Sequence, residues 1–407
     1  MSIEKLIFLF VFSLMEILLF VKSIIILENS TILKRLIDFF ERLLYYEGKG
    51  GVAMIFNKPI VDSHVHIETR DSERTEKMLL EMKEIGVKEI AALSIVCSPD
   101  YGIEQNLLVL KWKRDSRDVK VRAFGCFHEV DSYAELPYEK QAEALLDMGC
   151  DGIKFLQMKP NYRRIIGKGV CDPSYDKALS MLEERGVPTV FHVADPFEFW
   201  DITKMSESYI ARGWFYGDGR HMPYEDYYTE VFSMLSKHPR LKVSLAHFFF
   251  LANDIDKARR ILEKYPNVSY DITPHPRMYT EFSENIDAWR DFFIEYQDRI
   301  IYGTDSQDER ERNINIHKTA YYSLTKSRDE FPMPAYYKDK CIRGLELPES
   351  VVDKICEHNF HAFLNNKDVP LNEELIDRAA RHLLRKIERD ESRADRAAWL
   401  REFISKG

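Results

Sequence analysis

Eight short apolar runs, each followed by a longer amphipathic stretch, constrain this chain more than any other feature. The runs lie at 60–66, 89–95, 119–127, 152–156, 188–193, 242–247, 267–272 and 300–304 and are rich in Val, Ile, Phe and Ala. A strand covered on both faces reads this way, apolar throughout rather than alternating. Helical periodicity occupies 74–85, 139–148, 175–184, 227–235, 254–264 and 285–296, with Pro173, Gly186 and Pro266 marking ends. Eight strands alternating with helices predict an α/β protein, a distorted (β/α)8 TIM barrel with long active-site loops and a C-terminal helical extension. A doubly wound open sheet competes with it. That fold would normally carry a Gly-rich strand-to-helix turn, and the chain has no G-x-G-x-x-G and no P-loop.

Ionisable residues close several of these runs. His64 and His66 stand two apart at the end of the first, so an extended strand aims both imidazoles the same way. His192, His247 and Asp305 close the fifth, sixth and eighth. In a (β/α)8 barrel the C-terminal strand ends converge on one mouth. Imidazoles with a carboxylate there suit a catalytic divalent metal with an open coordination position. Taken singly, His192 also reads as a hydrogen-bonded core histidine, and Asp305 as a cap for the next helix. Together the five favour a metal centre.

The formal net charge is −9, with no basic block, which argues against sequence-independent nucleic-acid binding. The six cysteines (Cys97, Cys126, Cys150, Cys171, Cys341 and Cys356) form no C-x-x-C pair and read as reduced thiols of a cytoplasmic protein. Residues 6–27 are almost wholly apolar and long enough to cross a bilayer, although Glu16 within them would cost on the order of 2–3 kcal/mol there. Three readings follow: residues 1–53 lie upstream of a true start near Met54, they anchor the protein to a membrane, or they form a buried helix. The expected division is therefore a hydrophobic segment at 1–53, a barrel at 54–366 and a charged helical tail at 367–407. Two stretches, 195–226 and 306–349, exceed ordinary loops and are expected to form lids or pocket walls at the mouth.

Five motifs in order carry a resemblance. They are Asp62, His64 and His66 at alternate positions; Gly152-Ile153-Lys154-Phe155; Phe191-His192-Val193-Ala194-Asp195; Leu245-Ala246-His247; and Tyr302-Gly303-Thr304-Asp305-Ser306. With the closing run 356–364, where Asn359 precedes a short apolar stretch, they resemble the amidohydrolase superfamily, in the branch that includes aminocarboxymuconate-semialdehyde decarboxylase. The resemblance implies that His64, His66, His192 and Asp305 hold one divalent metal, zinc first and manganese second. It implies Asp305 as general base, and His247 as a group that polarises the substrate or binds a second metal. Lys154 would be carbamylated and bridging in binuclear relatives; with one metal it becomes a cation for an anionic substrate.

The activity implied is hydrolysis of a C–N or C–O bond in a small carboxylate-bearing substrate by metal-activated water. Non-oxidative decarboxylation of a cyclic or unsaturated acid is the runner-up, and an inactive ligand-binding barrel the third reading. Lys154, Arg220, Arg277, Trp214 and Phe248 are the expected substrate contacts. Phe248, Phe249 and Phe250 stand where the family often has small residues, which is expected to narrow the mouth. The family's habit points to a homodimer.

Overall fold

A computed structural model describes residues 55–95, 104–128, 136–275, 277–307, 310–335 and 340–406. The apolar run at 6–27, Cys97, Tyr336 and Tyr337 lie outside the described residues. Eight strands form one parallel sheet in sequential order: β1 (Ile60–Val65), β2 (Val87–Leu93), β3 (Lys120–Cys126), β4 (Gly152–Met158), β5 (Thr189–Val193), β6 (Val243–Leu245), β7 (Val268–Asp271) and β8 (Ile300–Ile301). Every residue of β1, β4 and β5 is buried, as strands covered by helices outside and side chains inside must be.

The sheet closes on itself between β8 and β1. Ser63 N donates to Tyr302 O (3.0 Å), Asp305 N to His64 O (2.8 Å) and His66 N to Ser306 O (2.9 Å). This makes a distorted (β/α)8 barrel. The eighth strand is shorter than its apolar run suggests because the pairing continues past Ile301 as single bonds rather than a regular ladder.

Local chemistry sets the helix ends. Asp71 caps the helix Ser72–Ile85 by accepting from Glu73 N and Arg74 N, and Gly86 closes it at φ 104. Pro173 opens the helix Pro173–Arg185, behind the capping carboxylate of Asp172. Gly149 ends Tyr138–Met148 at φ 109, and a Cβ there would lie 2.6 Å from Pro370 O. That contact is where the tail meets the barrel.

The tail is two helices rather than one, Glu373–Ile387 and Ala394–Lys406, because Asp390 caps a fresh turn by accepting from Ser392 N. Its apolar residues Ile376, Leu383, Leu400 and Phe403 are buried, and Arg396 reaches Glu104 (3.5 Å). The barrel and tail belong to one compact unit, Ala53–Gly407. Among the described residues no helix is long and apolar enough to cross a membrane.

The second long stretch, expected at the mouth, is mostly the helix Arg310–Thr325 followed by the hairpin strands Glu330–Pro332 and Cys341–Arg343. Its Tyr321 stacks edge-on against Phe56 (4.9 Å) beside the start of β1, so this aromatic serves the barrel's other end.

Candidate metal centre and adjoining cavity

The side chains of His64, His66 and Asp305 converge. Asp305 Oδ1 lies 3.1 Å from His66 Nε2 and 3.7 Å from His64 Nε2, and one donor atom from each residue falls within 4.8 Å of the others. The opposite ring nitrogens are fixed. His64 Nδ1 donates to Asp271 Oδ2 (3.0 Å), and His66 Nδ1 to Leu93 O (2.9 Å). Such outer partners set the tautomer, leaving Nε2 as the lone-pair atom. Burial lowers the His64 pKa to about 4, with Lys154 adding to the effect, so the ring is neutral and able to ligate.

Burial acts on Asp305 in the opposite direction. The His66 ring 3.1 Å away, with His64 and His247 close by, outweighs it and holds the carboxyl well below its usual range. Electron-pair donors facing one another suit a cation between them, and a two-imidazole, one-carboxylate set suits zinc or a first-row neighbour.

His192 takes a different set of contacts. Its Nε2 donates to Asp195 Oδ1 (3.2 Å), which leaves Nδ1 to accept from His247 Nε2 (3.1 Å). Lys159 Nζ stands 2.9 Å from Asp195 Oδ1 and 3.3 Å from His192 Nε2, and Tyr216 OH donates to Asp195 Oδ2 (2.7 Å). Burial would raise the Asp195 pKa, but Lys159 and His192 outweigh it and hold this carboxyl well below the ordinary value. His247 Nδ1 has no partner among the described residues.

The backbone after β6 is strained. His247, Phe248, Phe249 and Phe250 have φ of 57°, 52°, 55° and 54°. The left-handed region costs an L-residue roughly 1–2 kcal/mol. Glycine would adopt it freely, but here three phenylalanines do, held by packing. Phe248 is wholly buried among Tyr270, Phe282, Trp289, Phe292 and Phe293. Tyr228 OH donates to Phe249 O (3.0 Å), and Asp271 Oδ1 accepts from His247 N (2.9 Å).

The expected substrate contacts divide. Trp214 lines a cavity of about 400 Å³ beside His192, His247 and Asp305, and a second of about 830 Å³ that shares these residues. Arg220 lines only the larger one and is paired with Asp218. Arg277 lines neither; it bridges Glu198 (2.8 Å) and Glu281 (3.3 Å) and so ties the loop after β5 to that after β7.

Phe248 does not face the mouth, because the left-handed turn directs it among the helices and leaves Phe250 alone on the cavity wall. Lys154 is entirely buried, since β4 runs on to Met158 and the lysine is its third residue rather than its end. Its Nζ lies 3.3 Å from His64 Nε2, and burial lowers its pKa to about 8 against the pull of Asp271 and Asp305. The residue that follows β4 is Lys159.

Asp271, Asp195, Lys159 and Arg212 were not singled out from sequence as site residues, and His275 reads there only as a candidate substrate contact at the end of the seventh run. Asp271 and Asp195 carried a signal, an acid at or just past a strand end. Lys159 and His275 follow strand ends too, but Arg212 sits in an irregular loop with no such marker.

A family model described as Amidohydrolase matches residues 61–365. Among curated proteins there is no match. Of solved structures, 4-oxalomesaconate hydratase from Rhodopseudomonas palustris aligns at 13% identity over 75% of this chain and 95% of its own, with a TM-score of 0.46. L-Hydantoinase (dihydropyrimidinase) from Arthrobacter aurescens aligns at 13% identity over 76% of this chain and 71% of its own, TM-score 0.46. An uncharacterised TIM-barrel protein from Bordetella bronchiseptica aligns at 14% identity over 75% and 98%, TM-score 0.44.

Proposed function

The chain belongs to the amidohydrolase family, and on that premise we propose that it is a metal-dependent hydrolase acting on a C–N or C–O bond of a small carboxylate-bearing substrate. The observation that carries this reading is the convergence of His64, His66 and Asp305 at the seam where β8 meets β1. His64, His66 and Asp305 would hold one divalent metal; His192 would join them through Nδ1 on giving up the hydrogen bond which that atom accepts from His247 Nε2. Bound there, zinc or manganese would supply Lewis acidity and lower the pKa of water toward neutrality.

The remaining work falls to side chains. Asp305, kept ionised, takes a proton from the attacking water. His247 faces the cavity beside His192, and its Nε2–H, released from His192 Nδ1 once that atom ligates, would donate to the substrate carbonyl as charge develops on it. Asp271 holds both His64 and the backbone of His247, so one carboxylate sets two groups in register. Lys154 contributes positive charge beside the ligands, a role that needs a single metal rather than a bridged pair.

Elemental mass spectrometry on the full-length chain tests the premise. About one zinc or manganese per chain, lost in a His64→Ala/His66→Ala variant, supports it, and a metal-free protein that cannot be loaded ends it. A screen across esters, lactones, amides and aromatic acids then reads the chemistry. Carbon dioxide release without incorporation of solvent oxygen would replace hydrolysis by decarboxylation.

A further inference from the structure

Two groups on the smaller cavity have no part in the chemistry above. His275 is 6% exposed, and neither of its ring nitrogens has a partner among the described residues. Buried polar atoms are ordinarily satisfied, and leaving one unpaired is costly. An imidazole on a cavity wall with neither nitrogen paired to the protein retains its hydrogen-bonding capacity for a ligand there. Burial, with His247 and Arg277 adding to it, lowers its pKa to about 3, so it offers one N–H donor and one lone pair but no charge. Its ring packs against Phe250 (5.1 Å), which forms an apolar wall.

The second group is Arg212. It lines the same cavity and lies over the Trp214 ring at 5.3 Å, without an acidic partner among the described residues. Arg212 is exposed, and a guanidinium lying over an aromatic face without a carboxylate partner can take one from a ligand.

We propose that His275 and Arg212 form the recognition subsite of this cavity. It takes a flat ring bearing a carboxylate and a separate uncharged carbonyl or amide. Arg212 holds the carboxylate, His275 hydrogen-bonds the neutral group, and Phe250 and Trp214 flank the ring. A cavity of about 400 Å³ is of the size that encloses such a molecule. This rests on the reading of the substrate as a small carboxylate and adds its second polar group.

Titration calorimetry on the full-length zinc-treated chain tests it, with benzoate and the three carbamoylbenzoate isomers as probes. At least one isomer should bind about five- to tenfold more tightly than benzoate, the worth of one well-made neutral hydrogen bond. His275→Phe should abolish that preference and leave benzoate affinity in place. His275→Asn, which keeps a side-chain N–H, should retain part of it. Arg212→Ala should weaken all four probes together.

A preference that is absent, or that survives His275→Phe, overturns the assignment of His275. Benzoate affinity unchanged in Arg212→Ala overturns that of Arg212. Metal content on the same samples separates the two readings. A chain without zinc that shows the His275-dependent preference keeps the subsite and refutes the metal-dependent hydrolase; a zinc-loaded chain without the preference does the reverse.

Discussion

The left-handed turn at 247–250 makes a prediction whose sign runs against the usual ranking of residues. Phe248 is fully buried at φ 52°, and its ring stacks on Phe293 at 5.7 Å with the planes parallel. Phe293 is also fully buried but sits in the ordinary helix Ile286–Glu295. Removing either ring should cost about 3–5 kcal/mol in lost burial and cavity formation.

The informative quantity is the gap between alanine and glycine at each position. In a helix glycine is about 1 kcal/mol worse than alanine, so Phe293→Gly should be less stable than Phe293→Ala. At a left-handed position alanine keeps the strain that glycine lacks, and the order should invert by roughly 1 kcal/mol. The two gaps should therefore differ by about 2 kcal/mol, a comparison in which the lost ring cancels. Urea unfolding of the four variants, with slopes checked for constancy, measures it. Alanine above glycine at both positions would mean that the turn stores no strain, and that packing alone does not account for a chain bent this way without glycine.

Three further expectations come from the same geometry. A Cβ on Gly303 would lie 2.6 Å from Thr273 Oγ1 and 3.0 Å from His64 Cβ, so Gly303→Ala should displace His64 and lower metal content with the barrel still folded, as read by elemental analysis beside circular dichroism. Lys154→Ala should leave the metal count unchanged at about one while reducing turnover; a count near two that falls to one would show a bridging lysine instead. Glu89 is buried against Arg122 and His361, and although burial alone would raise its pKa these partners lower it in the folded state. Its stabilisation is thus present above the unfolded carboxyl value of roughly 4.5 and lost as pH falls below it. Glu89→Gln should be less stable at neutral pH and show a flatter acid limb in thermal midpoint against pH.

Much of the barrel was legible because strands buried on both faces leave a plain trace. Seven of the eight runs coincide with strands to within a few residues; the eighth is cut short where its pairing becomes irregular. The histidine pair was legible for the same reason, since alternation along β1 needs no tertiary knowledge. What escaped was direction. Phe248 reads as a mouth residue only if the chain after β6 is extended, and four consecutive positive φ values turn it into the helical layer. Lys154 reads as lying near a strand end only if β4 stops at Leu156, and two further buried residues carry the strand to Met158, so that Lys159 follows its end. Arg212 depends on which loops approach across space, and local pattern does not encode that, whereas His275, past the end of the seventh run, is marked by its position. Arg277 shows the converse: a cation in the expected neighbourhood is already spent on Glu198 and Glu281.

The seam between β8 and β1 has a consequence for how the protein comes into being. Of the converging side chains His64 lies in the first strand, His66 directly after it and Asp305 after the last, and Thr304 reaches back to Asp62 across 242 positions of sequence. A nascent chain thus displays His64 and His66 through nearly the whole of barrel synthesis with no carboxylate to complete the group. Because contacts of such separation are among the slowest to form, capacity to hold an ion should arise abruptly at ring closure, making metal uptake a timer for the final step of folding.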